Sequence, residues 1–211
     1  GFMVRKLKNE AEAREYLEEA QGDILIQEFV DLPLELSVLY YRFPGERQGY
    51  ISSVTLKEPL TVTGDGQSSI AELVEAYPRA RLQWKRLRKR WADRSAEVPA
   101  PGEVIELDPI GNHCRGSTFR NGNHLIDERL VSVFNRVGQQ MEGIYLGRFD
   151  LKCESMESLK QGGDFKVLEF NGVAGEPAHV YDPENPLWRA YRDYYLHCRN
   201  IYQIGRASCR E

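Results

Sequence analysis

Asp150, Glu169 and Asn171 are the residues whose types and spacing invite chemistry. "IYLGRFDLKC" (144–153) reads as one strand and "FKVLEFN" (165–171) as its partner, joined by the exposed connection "ESMESLKQGGD". If the two pair, the three oxygen-bearing side chains converge, because residues two apart on a strand share a face. Phe165, Val167, Leu168 and Phe170 give the second strand a buried look. A carboxylate and a carboxamide among them cost free energy unless something binds there. Mg²⁺ takes oxygen ligands, few from protein and the rest from phosphates and water, and two carboxylates with an amide suit it. Arg148 shares the face of Asp150, where a guanidinium could neutralise charge developing on a phosphate. The same spacing equally serves an internal Arg–Glu–Asp ion cluster, and spacing does not separate the two.

The elements that must position these residues are a mixture of hairpins and helices. Asn9 caps a helix over "EAEAREYLEEA" with Glu12 at the capping-box position, and Gly22 stops it. "ILIQEFV" (24–30) reads as a strand. "ELSVLYYRF" (35–43) and "YISSVTL" (50–56) read as a hairpin across "PGERQG". "LTVTGDGQSSIAELVEAY" is strand, glycine turn and a helix capped by Ser68 or Ser69. "RARLQWKRLRKRW" (79–91) is a basic amphipathic helix with Leu82, Trp84, Leu87 and Trp91 as an imperfect apolar stripe. "SAEVPAPGE" (95–103) is a turn or linker, "VIELDPI" a short strand, and "GNHCRGSTFRNGN" (111–123) loop-like. A helix over 127–141 and a closing helix over 186–203 complete an α+β pattern.

Composition sets bounds. The 211 residues suffice for one large domain or parts of two, and 41% hydrophobic with 28% charged is an ordinary balance. No apolar run is long enough to span a bilayer. A net charge of −4 does not draw the chain to nucleic acid or membrane. The opening "GFMVRKLKNE" has no initiator Met and reads as the inside of a domain. The tail Ile204–Glu211, "IGRASCRE", resembles no fold element and does resemble one reading frame of a sequencing adapter, which sets it apart as a scar. Three cysteines then remain: Cys114, Cys153 and Cys198. Without CxxC or CxxH spacing they suggest neither zinc nor a disulfide framework, and fit a reducing, cytoplasmic setting. They read as ordinary small buried or half-buried residues rather than as a catalytic thiol.

Other segments carry weaker signals. In "QEFVDLPLE", backbone near Phe29 and Val30 could meet an adenine edge, and Glu28 or Glu35 could accept from ribose hydroxyls; both are equally two surface acids. His113 and Arg115 could hold a phosphate or a substrate carboxylate, or sit solvated on a structural loop. Glu176 and His179 follow the polar strand and could meet an acceptor substrate or only shape the loop. The helix 79–91 carries seven Lys or Arg and two Trp. Such a helix can bind a single nucleic-acid strand, but in an acidic chain it is more often a solvated face or a lid over phosphates.

The order "IQEFVDLPLELSVLY", "VTGDGQSSIAELV", "GRFDLKC", "VLEFNGVAGEP" resembles the ATP-grasp superfamily, over about Ile24 to Asp182. Glu28 and Glu35 match the acid–x6–acid hinge of D-alanine–D-alanine ligases. Arg148, Asp150, Glu169 and Asn171 match their Arg-x-Asp and Glu-x-Asn strands. The GDG stretch looks more like cyanophycin synthetase and the ATP-grasp part of bifunctional glutathione synthetases. The resemblance implies an α+β fold with two subdomains clasping ATP: residues 1–33 a remnant of the small one and 34–203 the large one, with 68–103 a variable helical insertion. It implies adenine held by Glu28, Phe29 and Val30, and ribose by Glu35. Asp150, Glu169 and Asn171 would ligate one or two Mg²⁺ ions, with Mn²⁺ as a substitute. Arg148 and Lys57 would contact the phosphates. The implied reaction activates a small-molecule carboxylate as an acyl-phosphate, which an amine or thiol then attacks. A small-molecule kinase or a non-catalytic ATP-binding protein is the alternative. The family's glycine-rich loop, two phosphate lysines and N-terminal substrate domain would lie before Gly1, so the given residues are expected to bind ATP poorly and to be inactive alone. Substrate identity and oligomeric state stay open, a homo-oligomer included.

Overall fold

The computed structural model describes residues 4–209, so residues 1–3 and 210–211 of the two end segments singled out above lie outside the described residues. Residues up to Asp31 form one compact unit and those from Leu32 onward another. In the first, Asn9 caps helix α1 (Glu10–Glu19) by accepting from the Glu12 N–H, as its spacing predicts. The strand expected over 24–30 does not form, and Leu25 and Ile26 are 87% and 80% exposed. A strand exists by pairing, and the described residues of this unit hold no second strand. Phe29 instead lies under the Lys6 ammonium, 3.4 Å from the ring centroid.

The second unit is built on a five-stranded antiparallel sheet. Its strands are β1 (Leu34–Tyr41), β2 (Tyr50–Glu58), β5 (Thr118–Asn121), β6 (Leu146–Cys153) and β7 (Phe165–Asn171), in the order β5-β2-β1-β6-β7. One face is apolar. Leu36, Val38, Val54, Phe149, Leu151 and Cys153 pack on Leu130, Val133 and Phe134 of helix α4 (Glu128–Gln139) and on Leu159 of the short helix α5 (Met156–Lys160). Each such side chain removed from water contributes roughly 1.5–3 kcal/mol. Asp127 caps α4 by accepting from the Leu130 N–H and ties it to α5 through the Lys160 ammonium at 2.9 Å. Strand β5 hides in the Gly- and Asn-rich stretch that reads as a loop, and exists because β2 supplies its ladder from Thr55 to Glu58.

Strand β7 resolves the apparent conflict in "FKVLEFN". A bulge opposite the Asp150/Leu151 step leaves Leu168 unpaired: Leu151 faces Val167, whereas Asp150 faces Glu169 and Arg148 faces Asn171. Phe165 and Phe170 therefore share the core face although they lie five positions apart, and Glu169 and Asn171 share the opposite one. Val167 is less buried than the sequence suggests, at 45% exposed, because β7 is an edge strand. Gly147 on β6 makes room for this register: a Cβ there would stand 2.1 Å from Phe170 Cζ.

A second, smaller module spans Leu60 to Asp108. Strands β3 (Leu60–Thr63) and β4 (Val104–Asp108) pair, and helices α2 (Ile70–Ala76) and α3 (Pro78–Leu87) pack on them around Ile70, Val74, Leu87, Trp91 and Leu107. Ser69 is the cap of α2, in a full capping box with Glu72. The basic helix ends at Leu87, short of the expected 91, and Leu82 of its proposed apolar stripe is 81% exposed. Trp91 turns inward after the helix and donates to the Leu107 carbonyl at 3.1 Å. The closing helix α6 (Leu187–Ser208) runs past the expected end at Gln203, and Ile204 is buried, so the first residues of the tail that resembles no fold element are helical. Of the three cysteines expected to be buried or half-buried, only Cys153 is; Cys114 and Cys198 are exposed. Burial, with the Glu154 charge beside it, pushes the Cys153 thiol up to about 11. No helix among the described residues is long and apolar enough to cross a membrane.

Gly147→Ala is expected to lower stability by about 1–3 kcal/mol in chemical denaturation, with partial recovery when Phe170→Leu is added. A second expectation concerns acid. The Leu130 N–H and the Lys160 ammonium hold the Asp127 carboxyl at about 2, below its ordinary 3.8. A lowered carboxyl contributes stability above its unfolded value and loses it as pH falls through the folded one. The stability difference between the unaltered chain and Asp127→Asn should therefore shrink between about pH 4 and pH 2, as read by thermal melts.

Candidate functional site

The face of the main sheet opposite α4 is polar. Alternation places Glu35 and Ser37 of β1, Ser53, Thr55 and Lys57 of β2, Arg148 and Asp150 of β6, and Glu169 and Asn171 of β7 on that face. Asp150 is the centre of this group and only 5% exposed. Its Oδ1 accepts from Arg148 Nε at 3.0 Å, and its Oδ2 from Arg148 Nη2 and Asn171 Nδ2, each at 3.2 Å. Lys57 Nζ stands 3.7 Å from the same Oδ2 and donates to Glu35 Oε1 at 3.2 Å. The spacing leaves open an internal Arg–Glu–Asp ion cluster; Arg148 and Asp150 do pair, with Lys57 and Glu35 rather than Glu169 as the further members.

Glu169 lies in register beside Asp150 and is exposed on the edge strand. Asp150, Glu169 and Asn171 thus present two carboxylates and a carboxamide from adjacent strands, a donor set that fits a hard divalent cation. Asn171 turns its amide nitrogen to Asp150, and a half-turn of the same group presents its oxygen instead. Two hydroxyls on the same row bear on the fit. Ser37 lies opposite both Thr55 and Asp150, and both hydroxyls are buried with no hydrogen-bond partner. A buried unpaired hydroxyl costs about 1–3 kcal/mol, and both of these lie on the row of Asp150.

Two loops frame the face. The first joins β4 to β5. Gly111 rests on the Glu35 carboxylate, where a Cβ would stand 2.2 Å from Oε1. His113 packs between Phe119 and Tyr181, with ring centroids 5.2 and 5.3 Å away, and burial together with the Arg79 charge lowers its pKa. Arg115, read as a phosphate or carboxylate binder, turns to Asp108 at 3.0 Å. Arg86 reaches the same carboxylate at 2.6 Å, and Arg79 donates to the carbonyls of Gly116 and Ser117. Two arginines of the basic helix are thus committed to holding this loop.

The second loop follows β7. Gly175 lets the turn settle on β6: a Cβ there would stand 3.0 Å from Arg148 Cβ. Arg148 Nη1 donates to the Glu176 carbonyl at 3.3 Å. Burial, aided by the hydrogen bond to the Glu176 side chain, pushes the Tyr181 hydroxyl up to about 12. His179 is buried, with Nδ1 at 2.7 Å from Ser53 Oγ and Nε2 at 3.1 Å from Asp193 on α6. Burial pushes the Asp193 carboxyl up, but the hydrogen bonds from His179 and Arg192 outweigh it and hold the group below its ordinary value.

The structure therefore brings Lys57, Glu35, Arg148, Asp150, Glu169 and Asn171 together on one face. Arg115 and His179 are engaged internally, and Glu28, Phe29 and Val30 belong to the first unit. Ser37, Ser53, Thr55 and Tyr181 escaped the sequence reading. Three of them had a signal: Ser53, Thr55 and Lys57 recur at period two along β2, and Ser37 interrupts an apolar run.

No family model and no curated protein matches the chain. A solved structure does: a bifunctional glutathione synthetase from Pasteurella multocida, at 16% identity and a TM-score of 0.51, over 82% of this chain and 25% of that one. The chain thus spans about a quarter of the length of that protein. The likeness is one of fold alone, to a protein of ATP-grasp type, and the mixed α+β architecture is the one the sequence leads one to expect.

Proposed function

We propose that the chain carries the metal and phosphate part of an ATP- and Mg²⁺-dependent ligase, which joins a small-molecule carboxylate to an amine or thiol through an acyl-phosphate. The observation that carries this reading is the convergence of two cations, Lys57 and Arg148, with the oxygen donors Asp150, Glu169 and Asn171 on one sheet face. Transfer of a phosphoryl group asks a protein mainly for positioning and charge neutralisation, and this face offers both. The ATP-grasp fold agrees with it.

In this reading Asp150, Glu169 and Asn171 hold the cation, and Arg148 and Lys57 turn to phosphate oxygens. When bound, Mg²⁺ would neutralise and orient the phosphates. Glu35 meets the ribose, which requires Gly111 to lift from the Glu35 carboxylate. His113 and Glu176 line the substrate side through Tyr181, whereas Arg115 and His179 act by holding the two loops in place. Residues 1–33 belong with the small subdomain and 34–203 with the large one.

In a protein that carries this chain and turns over ATP, Glu169→Ala is expected to reduce Mg²⁺-dependent turnover at least about 100-fold with an unchanged circular dichroism spectrum. Retained turnover would remove Glu169 from the site. Product analysis decides the reaction class: ADP with an amide or thioester supports the ligase, and ADP with a stable phosphorylated product replaces it with a kinase.

A further inference from the structure

We propose that Arg148 and Lys57 make cation binding and phosphate binding at this face mutually dependent. The inference rests on reading Asp150, Glu169 and Asn171 as cation ligands. Both Asp150 oxygens are engaged by the chain's own groups: Arg148 grips them through Nε and Nη2, Asn171 donates to one, and Lys57 stands 3.7 Å away. A divalent cation approaching Asp150 meets a guanidinium at hydrogen-bond distance. In a place this secluded from water, two positive charges so close repel strongly. The cation can enter only as Arg148 turns away and Lys57 falls back on Glu35, which already accepts from it at 3.2 Å.

A guanidinium turned from Asp150 needs a new partner. The Arg148 side chain is only 18% exposed, and its remaining bond is to the Glu176 carbonyl. A phosphate oxygen supplies that partner, since the planar fork that fits a carboxylate also fits a phosphate. The converse holds as well. A phosphate that draws Arg148 away leaves Asp150 buried beside fewer positive charges, and a divalent cation restores the balance. Each ligand removes the penalty the other incurs, so the coupling is positive and must be the same in both directions. The unpaired hydroxyls of Ser37 and Thr55 lie on the Asp150 row, so the self-paired arrangement leaves hydrogen-bonding capacity unused.

The test uses the 211-residue chain with Mn²⁺ as the cation, followed by the electron paramagnetic resonance of the free ion, in chloride or in sulfate at matched ionic strength. Sulfate is a weakly chelating stand-in for phosphate oxygens. In the unaltered chain, sulfate should tighten Mn²⁺ binding. Arg148→Gln, which removes the charge but keeps an amide, should tighten Mn²⁺ in chloride by about tenfold and erase the sulfate effect. Lys57→Gln should tighten Mn²⁺ by less, and it carries the test if Arg148→Gln does not fold. Mn²⁺ affinity that is unchanged or weakened by these substitutions, while Asp150→Asn abolishes binding, overturns the coupling and leaves the cation site standing. Absence of saturable Mn²⁺ binding in every variant and in the unaltered chain overturns the cation site and the coupling with it.

Discussion

A carboxylate removed from water must be matched by positive charge or hydrogen-bond donors, and much of this sheet is arranged around meeting that demand at Asp150. Arg148, Lys57 and Asn171 reach it from its own strand and from strands on either side of that strand, all on one face of the sheet. Their reach depends on backbone details elsewhere. The bulge at Leu168 brings Asn171 into line, Gly147 admits the Phe170 ring that pins β7 to the core, and Gly175 lets the following turn close on Arg148. Replacing one partner of such a cluster is expected to cost more than the cluster contributes, because a buried unpaired charge remains. The two faces of the sheet thus impose opposite requirements on each strand, and alternation is what lets one chain satisfy both.

The smaller module between β2 and β5 supports the same face from outside. Its apolar core is separate from that of the main sheet, and its cations point back toward the β4–β5 loop. Arg86 and Arg115 share the buried Asp108, and Arg79 takes the carbonyls at the end of the loop. The density of basic residues that suggested a nucleic-acid surface is in part a fastening. Arg81 and Lys85 on the helix, and Arg88, Lys89 and Arg90 just after it, remain exposed, the ordinary condition of charged side chains.

The hairpins, the capped helices and the polar pair on β7 were legible because each rests on local chemistry: alternation, caps and turns. The pairing of Asp150 with Glu169 followed from two strand patterns separated by a short connection, although the helix α5 in that connection did not. What was not legible depended on distant partners. Residues 24–30 have strand-like composition, but composition cannot supply a neighbouring strand. Conversely, β5 has poor strand composition and forms because β2 offers an edge. The engagement of Arg115 by Asp108 and of His179 by Ser53 and Asp193 joins residues far apart in the chain, which no spacing rule reaches. Leu87 and Trp91 were placed correctly inside, whereas Leu82 was not, because at about 100° per residue it stands on the side of the helix opposite the buried Ala80 and Leu87.

The bulge at Leu168 bears on how this strand should be compared with others. Remove that one residue and "FKVLEFN" becomes Phe-Lys-Val-Glu-Phe-Asn, a strictly alternating segment in which every side chain keeps the face it has now. Leu168 is therefore the natural position for a gap when β7 is aligned with a strand of regular pleat. Placing the gap C-terminal to Glu169 would superpose Glu169 on a core position and make a chemically ordered strand look degenerate.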